Sequence, residues 1–151
     1  MKPLLNTTLL LFLLLIGFPR IVSGQDEADF RETKRLAERG LAFAQVNLGL
    51  MYDLGEGVPE NDAAAARLYR LAAEQGNALA QTNLGLMYAN GEGVPQNNAI
   101  AYMWWSVAAA QGNESARGNR DIVADRLVPD QLARGQDMAT RCFESDYQDC
   151  E

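Results

Sequence analysis

The chain has 151 residues, with 13 basic and 20 acidic side chains, and contains no histidine. A formal net charge of −7 without any lysine and arginine stripe excludes a surface built to neutralise nucleic-acid phosphates and disfavours anionic lipid headgroups. The missing histidine removes Ser-His and Cys-His nucleophilic pairs, histidine zinc sites and histidine general bases.

Lys2 stands ahead of the apolar run from Leu9 to Phe18, which ends at Pro19, the layout of a secretory signal peptide. Small residues Ser23 and Gly24 place the expected cleavage before Gln25, so residues 1–24 read as a leader. An uncleaved anchor is the alternative, since Leu4 to Val22 just reaches the ~20 residues that span a bilayer; Asn6, Thr7 and Thr8 argue against it. Past Gly24 there are 11 basic and 20 acidic residues, a net charge of −9. The expected product is a monomer, periplasmic or secreted, with no membrane insertion after signal cleavage.

Residues 41–76 laid over 77–112 give 21 identities in 36 positions. Unrelated segments of ordinary composition would share roughly two or three. A period of 36 corresponds to two short helices per unit. Residues 25–40 align with the second half of a unit and so predict a lone second helix. Residues 113–151 predict a degenerate third unit, a C-terminal cap and a closing tail, with a last helix from Pro129 to about Ser145.

Within a unit, Ala44, Leu48, Met51, Tyr52 and Gly55 share one side of a 3.6-residue wheel and form the packing stripe of a first helix, helix A. Gly49 and Gly85 interrupt otherwise good helices, which predicts close approach of a second helix. Gly55 and Gly91 are placed to end helix A in a left-handed residue, Pro59 and Pro95 prevent its continuation, and Asn61 and Asn97 are placed to cap the following helix B. Helix B carries Leu68 and Tyr69 in one copy and Trp104 and Trp105 in the other, read as core and cap packing rather than as a sugar-stacking platform.

Leu-Gly-x-x-Tyr at Leu48 and Leu84, Gly-x-Gly-Val at Gly55 and Gly91, an aromatic in helix B and a closing Ala-Ala-x-x-Gly together resemble the Sel1-like repeat family. The resemblance covers about residues 27–145. It implies an all-α protein, a short right-handed α-solenoid of antiparallel helix pairs related to tetratricopeptide arrays, here with about seven helices. As function it implies a class only: adaptors, regulators of signalling, envelope components and host-interaction factors.

In tetratricopeptide-like arrays the helix A faces line the concave groove. The positions opposite the packing stripe here are Phe43, Val46, Leu50, Asp53 and Leu54, matched by Leu79, Thr82, Leu86, Ala89 and Asn90. The partner-binding set is accordingly read as Phe43, Val46, Leu50, Asp53, Leu79, Thr82, Leu86 and Asn90, an apolar groove for a hydrophobic segment of a protein or peptide partner. Burial of Leu50 and Leu86 by the superhelical curl is the competing reading. Leucines at the positions where related arrays place a carboxylate-gripping asparagine argue against a carboxylate clamp in this groove.

No chemistry competes with binding. Gly55-x-Gly57 lies between two helices rather than after a strand, and Glu56 and Glu92 read as solvated turn residues. No catalytic residue, metal site or cofactor is expected. Cys142 and Cys150, eight apart in an exported chain, are read as a structural disulfide contributing roughly 2–3 kcal/mol rather than as a redox pair. The expected function is an adaptor or regulatory module, with inhibition of an envelope protein or effector as its narrower form. The alternative is a β-lactamase-like or cell-wall-associated activity as in cysteine-rich relatives, which carry a cysteine pair in each repeat; here the repeats carry none.

Overall fold

The computed structural model describes residues 24–151. The leader expected over residues 1–24 lies outside them, save for Gly24, the first residue of a helix. Seven helices follow one another among the described residues: α1 (Gly24–Glu38), α2 (Ala42–Leu54), α3 (Asp62–Ala73), α4 (Ala78–Asn90), α5 (Asn98–Ala110), α6 (Glu114–Ala124) and α7 (Pro129–Glu144). None is long and apolar enough to cross a membrane.

Local chemistry sets the helix ends. The Asn61 side chain accepts from the Ala64 N–H at 2.9 Å, and Asn97 accepts from Ala99 and Ile100 at 3.1 and 3.2 Å. Asn77 and Asn113 cap α4 and α6 in the same way, each at 2.9 Å. Gly55 and Gly91 end α2 and α4 with φ of 64° and 76°, as the sequence predicted. Pro129 opens α7, its missing N–H falling where a helix has no use for one.

Helices α2 and α3 form the first antiparallel pair and α4 and α5 the second, with α1 packed on α2 and α3 on α4. The side of α5 away from α4 is covered by α6 and α7. Tyr69, Leu84, Met103, Trp104 and Val107 are completely buried in one continuous core, while Ala37, Ala44, Leu48 and Leu68 make a smaller one that fastens α1. A methyl group on Gly49 would stand 2.7 Å from Tyr69 Cε1, and one on Gly85 2.6 Å from Trp105 Nε1. The aromatic ring of each helix B thus lies on bare backbone of its own helix A. In the second pair this lets the Trp105 indole N–H donate to the Thr82 carbonyl at 3.0 Å.

The third unit departs from the other two at its turn. Helix α6 stops at Ala124, and α7 starts at Pro129, the position of the turn glycine Gly93 one period earlier. Helix α7 then approaches α5 through Gly135, where a side chain would meet Tyr102 at 2.8 Å.

Candidate functional site

Side chains seven or four apart on a helix share a face. On α2 this face carries Phe43, Leu50 and Leu54, and on α4 it carries Leu79 and Leu86. Phe43, Leu54, Leu79 and Leu86 are 56%, 57%, 51% and 46% exposed, which is unusual for large apolar residues. Leu50 is half-buried and rests on the main core. The burial reading therefore holds in part for Leu50 and fails for Leu86.

One period beyond Leu86 stands Ile122 of α6, 54% exposed. Leu50, Leu86 and Ile122 thus occupy one position in three successive first helices. Beside Ile122 a small recess of about 150 Å³ is bounded by Ala89, Asn90, Asn119 and Arg126, with Trp105 at its base. The row is thereby apolar along its length and polar at its C-terminal rim.

Two of the predicted contact residues belong elsewhere. Val46 and Thr82 are buried, 3% and 8% exposed, so neither can meet a partner from this position. The face opposite the packing stripe is narrower than the wheel suggests: Val46 joins the main core with Tyr69, and Thr82, whose carbonyl accepts from Trp105 of its own helix B, donates its hydroxyl to the Ala78 carbonyl at 2.7 Å. Asn90 is exposed at the end of α4 and donates to Glu92 at 3.2 Å.

Asp53 is half-buried and accepts from the Tyr69 hydroxyl at 3.3 Å. Burial pushes its carboxyl above the usual range; the Tyr69 hydrogen bond opposes this, and the negative charges of Asp62 and Glu92 reinforce it. Burial, with Asp53 beside it, likewise raises the Tyr69 phenol, which remains a donor. Among the described residues no group of three His, Cys, Asp or Glu side chains is placed to hold a metal ion.

Two further arrangements escaped the sequence reading. Buried Gln45 and Gln81 each reach back to the preceding helix B, to the Ala37 carbonyl at 3.5 Å and the Ala73 carbonyl at 3.1 Å. Each also accepts from a glutamine at the end of its own helix B, Gln75 or Gln111, at 2.7 Å. Both pairs repeat at the 36-residue period, the signal that could have revealed them. The second arrangement is at the opposite side of α4 from Leu86, where Arg70, Tyr88 and Trp104 converge on Glu151. Nothing in the periodicity announces it, since Lys34 and Ser106 stand at the positions equivalent to Arg70, and Leu68 and Thr140 at those equivalent to Trp104. Cys142 and Cys150 are joined as a disulfide at the base of this tail.

Residues 42–77 and 78–113 each match the Sel1 repeat. Among solved structures, the chain is similar to c5321, a protective antigen of uropathogenic Escherichia coli strains displaying an SLR fold, with a TM-score of 0.77 and 29% identity over 80% of this chain. It is also similar to a Sel1 repeat protein from Oxalobacter formigenes, with a TM-score of 0.59 and 40% identity over 60% of this chain. The chain spans 27% of the length of the first and 68% of the second. No protein of curated function matches the sequence.

Proposed function

Because the chain belongs to the Sel1 repeat family, whose fold is generally a protein–protein interaction module, we propose that it is an exported adaptor or regulatory module gripping a partner protein or peptide through its helix A face. The observation that carries this reading is the recurrence of Leu50, Leu86 and Ile122 at one position of three helices, flanked by exposed Phe43 and Leu79. An apolar strip of this kind fits the apolar side of a partner helix, whose own anchors recur at three- and four-residue spacing. Export to the periplasm or the medium is supported by the apolar run Leu9–Phe18 behind Lys2 and by the Cys142–Cys150 bond, which persists in oxidising compartments. A non-catalytic role accords with solenoids of this family and with a chain that has no histidine. Inhibition of a single envelope protein is the narrower form of the same proposal.

The test is affinity capture from an envelope extract with the protein from Gln25 onward and with its Leu86→Asp/Ile122→Asp variant. Both changed residues are about half exposed, so the variant should keep its helical circular dichroism, unlike one that carries aspartate at Leu50. A partner held through buried apolar anchors should bind the variant at least about tenfold more weakly, since central anchors contribute ~2 kcal/mol or more each. Equal capture by both proteins overturns the assignment of this face.

A further inference from the structure

Arg70 on α3, Tyr88 on α4 and Trp104 on α5 aim three polar hydrogens at one small volume between the two repeats. What fills it is the Glu151 carboxylate. One of its oxygens, Oε1, accepts from Trp104 Nε1 at 3.0 Å; the other, Oε2, accepts from the Tyr88 hydroxyl at 2.7 Å and from Arg70 Nη1. The second guanidinium nitrogen of Arg70 donates to the Tyr88 oxygen, and the guanidinium lies 5.8 Å from the centre of the Tyr88 ring. Burial, with Glu151 alongside, holds the Tyr88 phenol above its usual range, so it stays protonated and available to donate.

The solenoid supplies all three donors without help from the tail. Trp104 is 1% exposed and Tyr88 6%, and the backbones that carry them are fixed by the core. The occupant, in contrast, arrives on a short segment attached by the Cys142–Cys150 bond, by Gln148 donating to the Glu74 carbonyl at 3.0 Å, and by the Tyr147 ring lying against Gly76. With Glu151 withdrawn, Arg70 Nη1, the Trp104 indole N–H and the Tyr88 phenol would each lose the acceptor they now share, which buried donors tolerate poorly. The volume therefore requires an anion with two oxygens in a plane, the geometry that a guanidinium and two flanking donors recognise.

The geometry points to Arg70, Tyr88 and Trp104 as a carboxylate-recognition site that Glu151 occupies from within the chain and that a peptide segment of a partner protein, bearing a single acidic side chain, enters by exchange with it. Leu86 and Tyr88 stand two residues apart, about 200° around the helix, so this site faces away from the apolar row and is independent of it. The tether makes Glu151 an intramolecular competitor at high effective concentration, so the resident must be displaced before an external carboxylate binds. Glu74 also lines the cleft beside the site, and its carboxylate favours ligands whose charge is confined to the one group that Arg70 meets.

The experiment removes the resident and supplies the ligand. Glu151→Ala should melt below the unchanged protein, and propionate at millimolar concentration should restore at least half of the lost Tm with saturation, changing Trp104 fluorescence in parallel. Chloride at equal ionic strength should not. Adding Arg70→Ala to Glu151→Ala should abolish the recovery. Should Glu151→Ala fail to fold, Glu151→Ser carries the same titration, because its side chain is likewise too short to reach the three donors. A peptide of otherwise neutral residues around one glutamate should bind the variant at least about tenfold more tightly than propionate and bind the unchanged protein far more weakly than the variant. No saturable propionate effect, or an effect indifferent to Arg70, overturns the site; a peptide no tighter than propionate overturns recognition of a peptide in favour of a small carboxylate.

Discussion

At Asp53 the cost of burying a carboxylate outweighs the hydrogen bond from Tyr69. The folded protein consequently holds the Asp53 proton more tightly than the unfolded chain does. A group of this kind contributes stability that is present below its unfolded pKa and lost as pH rises through its raised folded value. Asp53→Asn keeps an oxygen for Tyr69 and removes the charge, along with its repulsion from Asp62 and Glu92. Its unfolding free energy should match that of the unchanged protein near about pH 3 and exceed it above about pH 6, where the carboxylate would otherwise be ionised. Denaturant titrations across this range check the sign; a difference independent of pH would mean that the side chain acts by shape alone. The wheel placed Asp53 on a binding face but was blind to Tyr69, sixteen residues on, because periodicity reports direction and not depth.

Among the first helices, α2 is the one whose cap is missing. Leu41 sits at its N-cap with φ −72° and ψ 113° and makes no side-chain hydrogen bond, while Asn77 caps α4 with φ −72° and ψ 108° and Asn113 caps α6 with φ −75° and ψ 106°. The backbone is already in the capping conformation, and Leu41 is exposed enough to lose little burial. Leu41→Asn should therefore raise stability by about 1 kcal/mol, or a few degrees in Tm, as a thermal melt would read. An unchanged Tm would show that Leu41 contributes apolar contact equal to a cap. Helix identity and most helix ends were legible from the residues, because caps, left-handed glycines and prolines act within a few positions of where they stand. Val46 and Thr82 were misplaced because each stands one turn before the glycine on which the aromatic ring of its own helix B lies, and a wheel drawn on one helix contains no neighbour.

Across the described residues of the whole molecule, helix packing is distributed unevenly. Helix α5 is packed by α4, α6 and α7, whereas α1 touches α2 and is fastened mainly through Ala37 and an edge-on contact between Phe30 and Tyr52 at 5.9 Å. A solenoid whose units contact only their neighbours opens from its less covered end. Native-state hydrogen exchange should find the amides of α1 opening at a lower free energy than those of α5. Equal protection along the chain would instead mean that all seven helices unfold as one unit. The tail works against such unravelling at the other end, since Glu151 reaches 81 residues back to Arg70 and ties α3, α4 and α5 together.

The tandem identity alone determined the architecture. A 36-residue period with Leu-Gly-x-x-Tyr and Gly-x-Gly-Val in register dictates paired helices, and an aromatic can lie over glycine in each pair because both residues recur at the same spacing. Leu50 and Leu86 were visible as apolar residues on the wrong side of their helix for the same reason. Only the tertiary structure decided that Leu86 and Ile122 stay exposed while Val46 does not, and that Arg70, Tyr88 and Trp104 meet at Glu151. Exposure depends on which neighbouring unit covers a face, and the Glu151 site joins residues from three helices and a tail at separations of 47, 63 and 81 positions. Local periodicity carries no information over such distances; the fold brings these groups together because burial of the shared core sets how the helices stack.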